Sequence, residues 1–169
     1  MADASHHARR IVGGNEDHLP AIDGFDWGGE FNLLTLHRAE NTDALDRLQA
    51  IFTALNRSNR PIIFPVHPRT KKIISETGLQ LDDHITMVEP FGYLSMAAVT
   101  ERCSRVLTDS GGLQKEAYWA RKPCITLRDE TEWVETLEGG ANQITGADTE
   151  RILSALENTG ELQFEDGLY

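Results

Sequence analysis

From Phe31 onward, short β-rich runs alternate with stretches of helical spacing, and no other feature restricts the fold of this chain as strongly. Strands are expected at Phe31–Leu36 (FNLLTL), Pro61–Pro65 (PIIFP), Ile85–Val88, Arg105–Thr108, Pro123–Leu127 (PCITL) and Ala141–Ile144. Between the first two, Leu45, Leu48, Phe52 and Leu55 recur at helical spacing and predict a helix over Asp43–Arg57. Further helices are expected over Arg69–Thr77, Tyr93–Arg102, Gly112–Arg121 and Thr149–Glu157, with a short one at Thr131–Leu137. Such alternation demands a mostly parallel sheet with helices on both faces. The expected class is α/β, a doubly wound, Rossmann-like domain over residues 31–160. Residues 1–30 hold five glycines, a proline, mixed charges and no sustained period, and read as a tail or linker; residues 161–169 read as a C-terminal tail.

Right-handed crossovers gather the loops that follow the strands along one sheet edge, where open α/β sheets bind ligands. Chemistry is therefore expected just after Leu36, Pro65, Val88, Thr108 and Leu127. Composition limits what those loops can serve. Sixteen basic against 27 acidic residues leave a net charge of −11, so nothing general draws in a nucleic-acid backbone. No run approaches the ~18 apolar residues of a membrane span. Met1–Gly14 lacks the apolar stretch of a signal peptide, so a cytoplasmic location is expected, with neither nucleic acid nor membrane as partner. Cys103 and Cys124 give no disulfide framework and no metal-ligand spacing, and no metal is expected. Twelve arginines against four lysines fit a salt-adapted acidic surface or an ordinary acidic composition.

After the first strand come His37 and Arg38, which could hold an anion, with Glu40 and Asn41 fixing the loop or Asn41 capping the next helix. His67, between two prolines, either faces the cleft or packs, and Pro68 can open a helix. The richest stretch is Val106–Ala117, in which a buried strand runs through Ser110, Gly111 and Gly112 directly into a helix. Glycines admit a phosphate close to the backbone, and the first helical N–H groups form an anion site. Ser110 adds a donor, and Glu116 lies about one turn in, where it could accept from ribose hydroxyls. A tight turn in which Ser110 merely caps the helix fits equally. The Gly-Lys-Ser/Thr ending of a Walker loop and the GxGxxG of a nicotinamide site are both missing, so no cofactor is expected. Phe91 could stack on a nucleobase or seal the core. Arg128, Thr131 and Glu132, closed by Trp133, could touch a sugar or anion or form a solvated, ion-paired loop.

In order, HRAEN (His37–Asn41), PVHPRT (Pro65–Thr70), EPFGY (Glu89–Tyr93), LTDSGGLQKEA (Leu107–Ala117) and KPCITLRDETEWVE (Lys122–Glu135) resemble the second half of the non-hydrolysing UDP-N-acetylglucosamine 2-epimerases. The resemblance covers roughly Phe31–Glu157; nothing before Phe31 matches it well. It implies the C-terminal domain of a glycosyltransferase-B-like fold, with UDP held by this half at the cleft between two domains. In that reading His37 is catalytic and reaches the diphosphate or glycosidic oxygen. Ser110, Gly111 and Gly112 cradle the phosphates, Glu116 the ribose, and Phe91 with its neighbours the uracil. Arg128, Thr131 and Glu132 face the sugar or the domain interface. The implied reaction is C2 epimerisation of a UDP-sugar to the manno form by elimination and re-addition of UDP, an isomerase step of polysaccharide biosynthesis. The Arg128–Glu135 wording is similar to branches acting on modified UDP-sugars such as diacetamido-glucuronate, or to archaeal members.

The family's first domain, with acid/base carboxylates for both sugar faces, and its closing helix are not in this sequence. The expectation is thus a UDP- or UDP-sugar-binding half, inactive alone, whose partners are the missing N-terminal domain and further copies in a homo-oligomer. Two other readings stand beside it. One is the UDP-sugar domain of a glycosyltransferase-B enzyme, and the other a non-enzymatic flavodoxin-like interaction domain.

Overall fold

A computed structural model describes residues 2–13, 16–158 and 160–169 of the chain. Helix α1 (Ala2–Val12) precedes strand β1 (Asn32–Thr35), which leads through a single turn, α2 (Ala39–Thr42), into α3 (Leu45–Ser58). Then follow β2 (Ile62–Pro65), α4 (Pro68–Thr77), β3 (Ile85–Val88), α5 (Tyr93–Arg102), β4 (Arg105–Thr108) and α6 (Gly111–Trp119). The chain continues with β5 (Cys124–Thr126), β6 (Asn142–Ile144) and α7 (Thr149–Glu157). The six strands form one wholly parallel sheet in the order β3-β2-β1-β4-β5-β6. This is the doubly wound α/β architecture that the alternation predicts.

Both faces of the sheet are covered, and alternate residues of each strand serve opposite cores. Leu34, Ile62, Phe64, Leu107 and Ile125 pack against Leu48, Ile51, Phe52 and Leu55 of α3, Ile74 of α4 and Ile152 of α7. Their neighbours Leu33, Ile63, Val106 and Cys124 face the other way, onto Val99 of α5 and Leu113 and Ala117 of α6. Burial pushes the thiols of Cys103 and Cys124, both in that second core, up to about 12, which leaves them un-ionised and unreactive near neutrality. Asn59 ends α3 and Gly78 ends α4 in left-handed conformation (φ 51° and 68°), so each chain reversal begins at a residue type that tolerates it.

Three local expectations are corrected. Residues 2–13 are not an unpatterned tail: α1 packs on α5, with Ser5, Ala8 and Val12 buried and Arg9 bonded to Glu101. Its buried face is built of small residues set among histidines and arginines, so the period is hard to read in apolar residues alone. Leu45 lies off the apolar stripe of α3 and is 49% exposed, because the helix begins only there. The short helix expected at Thr131–Leu137 is instead a 3₁₀ segment at Val134–Gly140, broken at Glu138 and Gly139 (φ 71° at the glycine). The hydroxyl of Thr131 accepts from the Trp133 N–H at 3.1 Å, a local bond that keeps the preceding residues out of a helix.

Among the described residues, no helix is long and apolar enough to cross a membrane, and no group of three or more His, Cys, Asp and Glu is placed to hold a metal ion.

Candidate functional site

Chain direction across the sheet reverses between β1 and β4. From β1 the chain passes to α3 on one face, whereas from β4 it passes to α6 on the other, so the two connections diverge and open a crevice above the strand ends. The strands finish level. Thr35 pairs with Thr108 in register, and their hydroxyls lie 2.6 Å apart.

Beyond that pair the loops are joined by Asp109, whose side chain is completely buried. Its carboxylate accepts from the His37 N–H (3.1 Å to each oxygen), the Arg38 N–H (2.9 Å) and the Asn41 carboxamide (3.2 Å). A buried charge is tolerable only with such a set of donors. Asn41, also buried, donates to the Leu127 carbonyl at 2.8 Å and accepts from Arg47 Nε at 3.1 Å. It therefore fixes the loop instead of capping α3, whose cap position is Ala44. Three strand-end loops, after β1, β4 and β5, are thus fastened through two buried side chains.

A cavity of about 390 Å³ opens over this knot, within the range of small-molecule sites. Of the residues expected to bind, His37, Phe91, Ser110, Gly112 and Glu116 line it, joined by Thr35, Pro65, His67 and Met96. Ser110 caps α6 through its Oγ, which accepts from the Leu113 N–H at 3.3 Å, and its carbonyl takes the Gln114 N–H at 3.2 Å. No partner among the described residues engages the N–H groups of Gly111 and Gly112, which begin the helix. Neither glycine has a positive φ, so torsion does not require them. A Cβ on Gly111 would stand 3.4 Å from Glu132 Oε2 and 3.5 Å from Trp133 Nε1, a contact that any larger residue would crowd. Phe91 does both things its type allows: it packs partly buried against the second core and forms a cavity wall. His67 also lines the cavity, while its Nδ1 caps α4 by accepting from the Arg69 N–H at 3.2 Å.

Glu116 is partly buried, and desolvation raises its carboxyl above the usual range. The nearby Tyr93 hydroxyl is raised too, by desolvation and then by the charge of Glu116.

Arg38, Gly111, Arg128 and Glu132 do not line the cavity; Arg38 and Glu132 instead crowd Gly111, and Arg128 pairs with Glu40 and Glu132. Arg128 is 8% exposed and donates to Glu132 (2.8 Å) and to Glu40 (2.7 Å). Those two bonds hold its guanidinium above its ordinary value, and the same contact lowers Glu132. Thr131 turns away: its hydroxyl donates to Gln114 Oε1 at 2.6 Å, beneath the loop. Trp133 donates its indole N–H to the Gly111 carbonyl at 2.8 Å. Sequence reading did not assign Asp109 or Trp133. The only cues were an ionisable residue directly following a buried strand, and an indole closing a polar loop.

The family model described as UDP-N-acetylglucosamine 2-epimerase matches residues 3–166, so the likeness begins inside α1 rather than at Phe31. The UDP-2,3-diacetamido-2,3-dideoxy-D-glucuronate 2-epimerase of Pseudomonas aeruginosa is 47% identical over 81% of this chain and 39% of its own length. The UDP-N-acetylglucosamine 2-epimerase of Methanococcus maripaludis is 39% identical over 93% of this chain and 45% of its own. In three dimensions, the Methanocaldococcus jannaschii UDP-GlcNAc 2-epimerase solved in complex with UDP-GlcNAc and UDP superposes with a TM-score of 0.78. That match is 38% identical and spans 92% of this chain and 44% of that one. The chain thus spans less than half the length of each.

Proposed function

We propose, from the premise that the chain belongs to the UDP-N-acetylglucosamine 2-epimerase family, that it holds the UDP moiety of a UDP-sugar whose C2 is inverted by the complete enzyme. One observation carries this: His37 and the opening turn of α6 are brought to a single cavity at the divergence of β1 and β4. The pyrophosphate sits against the amides of Gly111 and Gly112, where the α6 dipole favours negative charge. The Ser110 hydroxyl, free to donate while its oxygen caps the helix, adds a bond, and Arg38 supplies a positive charge at the rim. Glu116 accepts from the ribose hydroxyls, and Phe91 bounds the uracil.

The chemistry follows elimination and re-addition. His37 contacts the diphosphate or the glycosidic oxygen as UDP leaves, and the glycal so formed is reprotonated at C2 from the other face. Inversion needs acid/base groups on both sides of the ring. In this reading they come from a second domain, which also closes the cavity against water. Arg128 and Glu132 stand on the sugar side of the site.

Titrating the chain with UDP tests the proposal. Amide resonances of Ser110, Gly111 and Gly112 are expected to shift together and saturably, with uridine giving much weaker effects. Undisturbed resonances at those three residues up to millimolar UDP would remove the reading.

A further inference from the structure

The buried carboxylate of Asp109 accepts from two backbone N–H groups and the Asn41 carboxamide, and the Nδ1 of His37 lies 3.5 Å from its Oδ1. A neutral imidazole carries one proton on one of two nitrogens, and the environment of each decides which. An unprotonated Nδ1 would aim its lone pair at a carboxylate oxygen that solvent does not reach, although the imidazole itself is 45% exposed. A proton there is instead attracted.

We infer that Asp109 is a positioning residue that fixes His37 as the Nδ1–H tautomer and so presents Nε2 to the cavity. The main chain supports the same assignment. Asp109 holds the His37 and Arg38 amides with the same two oxygens, so the backbone that carries the imidazole is anchored to the carboxylate its Nδ1 faces, and a ring flip would lose that approach. This deepens the proposed function, because Nε2 meets a diphosphate only if the cavity holds one. The tautomer itself needs no ligand.

Long-range 1H–15N correlation of the imidazole rings in the full chain tests the inference. Spectra are taken at an alkaline pH chosen so that the ring 15N shifts themselves report a neutral imidazole. His37 is identified by its loss in His37→Gln. The wild-type ring is expected to show a protonated Nδ1 and an unprotonated Nε2. In Asp109→Asn the carboxamide oxygen keeps the Arg38 and Asn41 bonds while its NH2 faces Nδ1. The two nitrogens should then exchange their chemical-shift positions. A wild-type ring protonated on Nε2, or a folded variant with an unchanged ring, overturns the assignment. Where Asp109→Asn does not fold, the wild-type spectrum decides alone. Adding UDP to the same sample separates the two readings: silent amides at Ser110–Gly112 would end the nucleotide proposal and leave the tautomer standing.

Discussion

The Trp133 indole donates its N–H to the Gly111 carbonyl at 2.8 Å, which ties the loop after β5 to the first residue of α6. Lys115 lies 4.2 Å from the centre of the same ring system and 4.4 Å from that of Tyr169, so the indole is fixed on its face as well as its edge. Trp133→Phe keeps the cation–π contact and deletes the hydrogen bond. The expected loss is about 1 kcal/mol, read as a fall in Tm of about 2–4 °C. UDP affinity measured by calorimetry should fall several-fold as the turn loosens.

Arg128→Met leaves Glu40 and Glu132 without their shared partner. Those carboxylates are 39% and 53% exposed, so solvent takes up part of the loss, and about 1–2 kcal/mol is expected at pH 7. Because the folded Glu132 value is depressed, its contribution is present above the unfolded value of ~4.3 and disappears as pH falls through the folded one. Urea unfolding of both proteins from pH 7 to pH 3 should therefore show a gap that closes at the acid end.

Glu116 has the opposite linkage. Burial raises its folded value, so the protonated form is favoured in the folded state, and that contribution is lost as pH rises through the folded value. Glu116→Gln is accordingly expected to be more stable than wild type at pH 7 and equal to it below about pH 4. The same change removes a charged acceptor, and UDP affinity should drop by about 1.5–3 kcal/mol, or roughly 10–150-fold. A variant that binds UDP as tightly as wild type would place the ribose elsewhere.

Ala8 is 1% exposed in the contact between α1 and α5. Ala8→Asp buries an unpaired carboxylate there at a cost of about 3–5 kcal/mol. Amide exchange is expected to speed up along α1 while the strands keep their protection; uniform loss across the sheet would show that α1 is essential to the whole fold.

All six strands were legible because short β-rich runs alternate with stretches of helical spacing, even where a strand such as β6 (Asn142–Ile144) is itself mostly polar, and the alternation alone set the two-faced packing. Helix α1 was not, since Ser5, Ala8 and Val12 bury a face through size more than hydrophobicity. In the site, His37, Ser110 and Glu116 could be placed because loops after parallel strands share an edge. Asp109 could not. Its donors sit 72 and 71 residues earlier in the chain, and no local pattern marks a carboxylate whose environment is assembled from so far away. Thr131 shows the converse, a polar side chain that looks outward-facing in sequence but bonds beneath its own loop.

The level ending of Thr35 and Thr108 has a consequence for how the chain tolerates insertions. Side chains on neighbouring positions of a strand point to opposite sides, so sliding β4 by one position would reverse the facing of everything it carries. A residue added between Cys103 and Arg105 could leave the ladder paired and the protein folded, yet put Thr108 in the inward place and push the aspartate on to that of Ser110, away from its donors. The site is spelled in a reading frame set by the sheet, and a frameshift of one residue would erase its meaning while sparing the page.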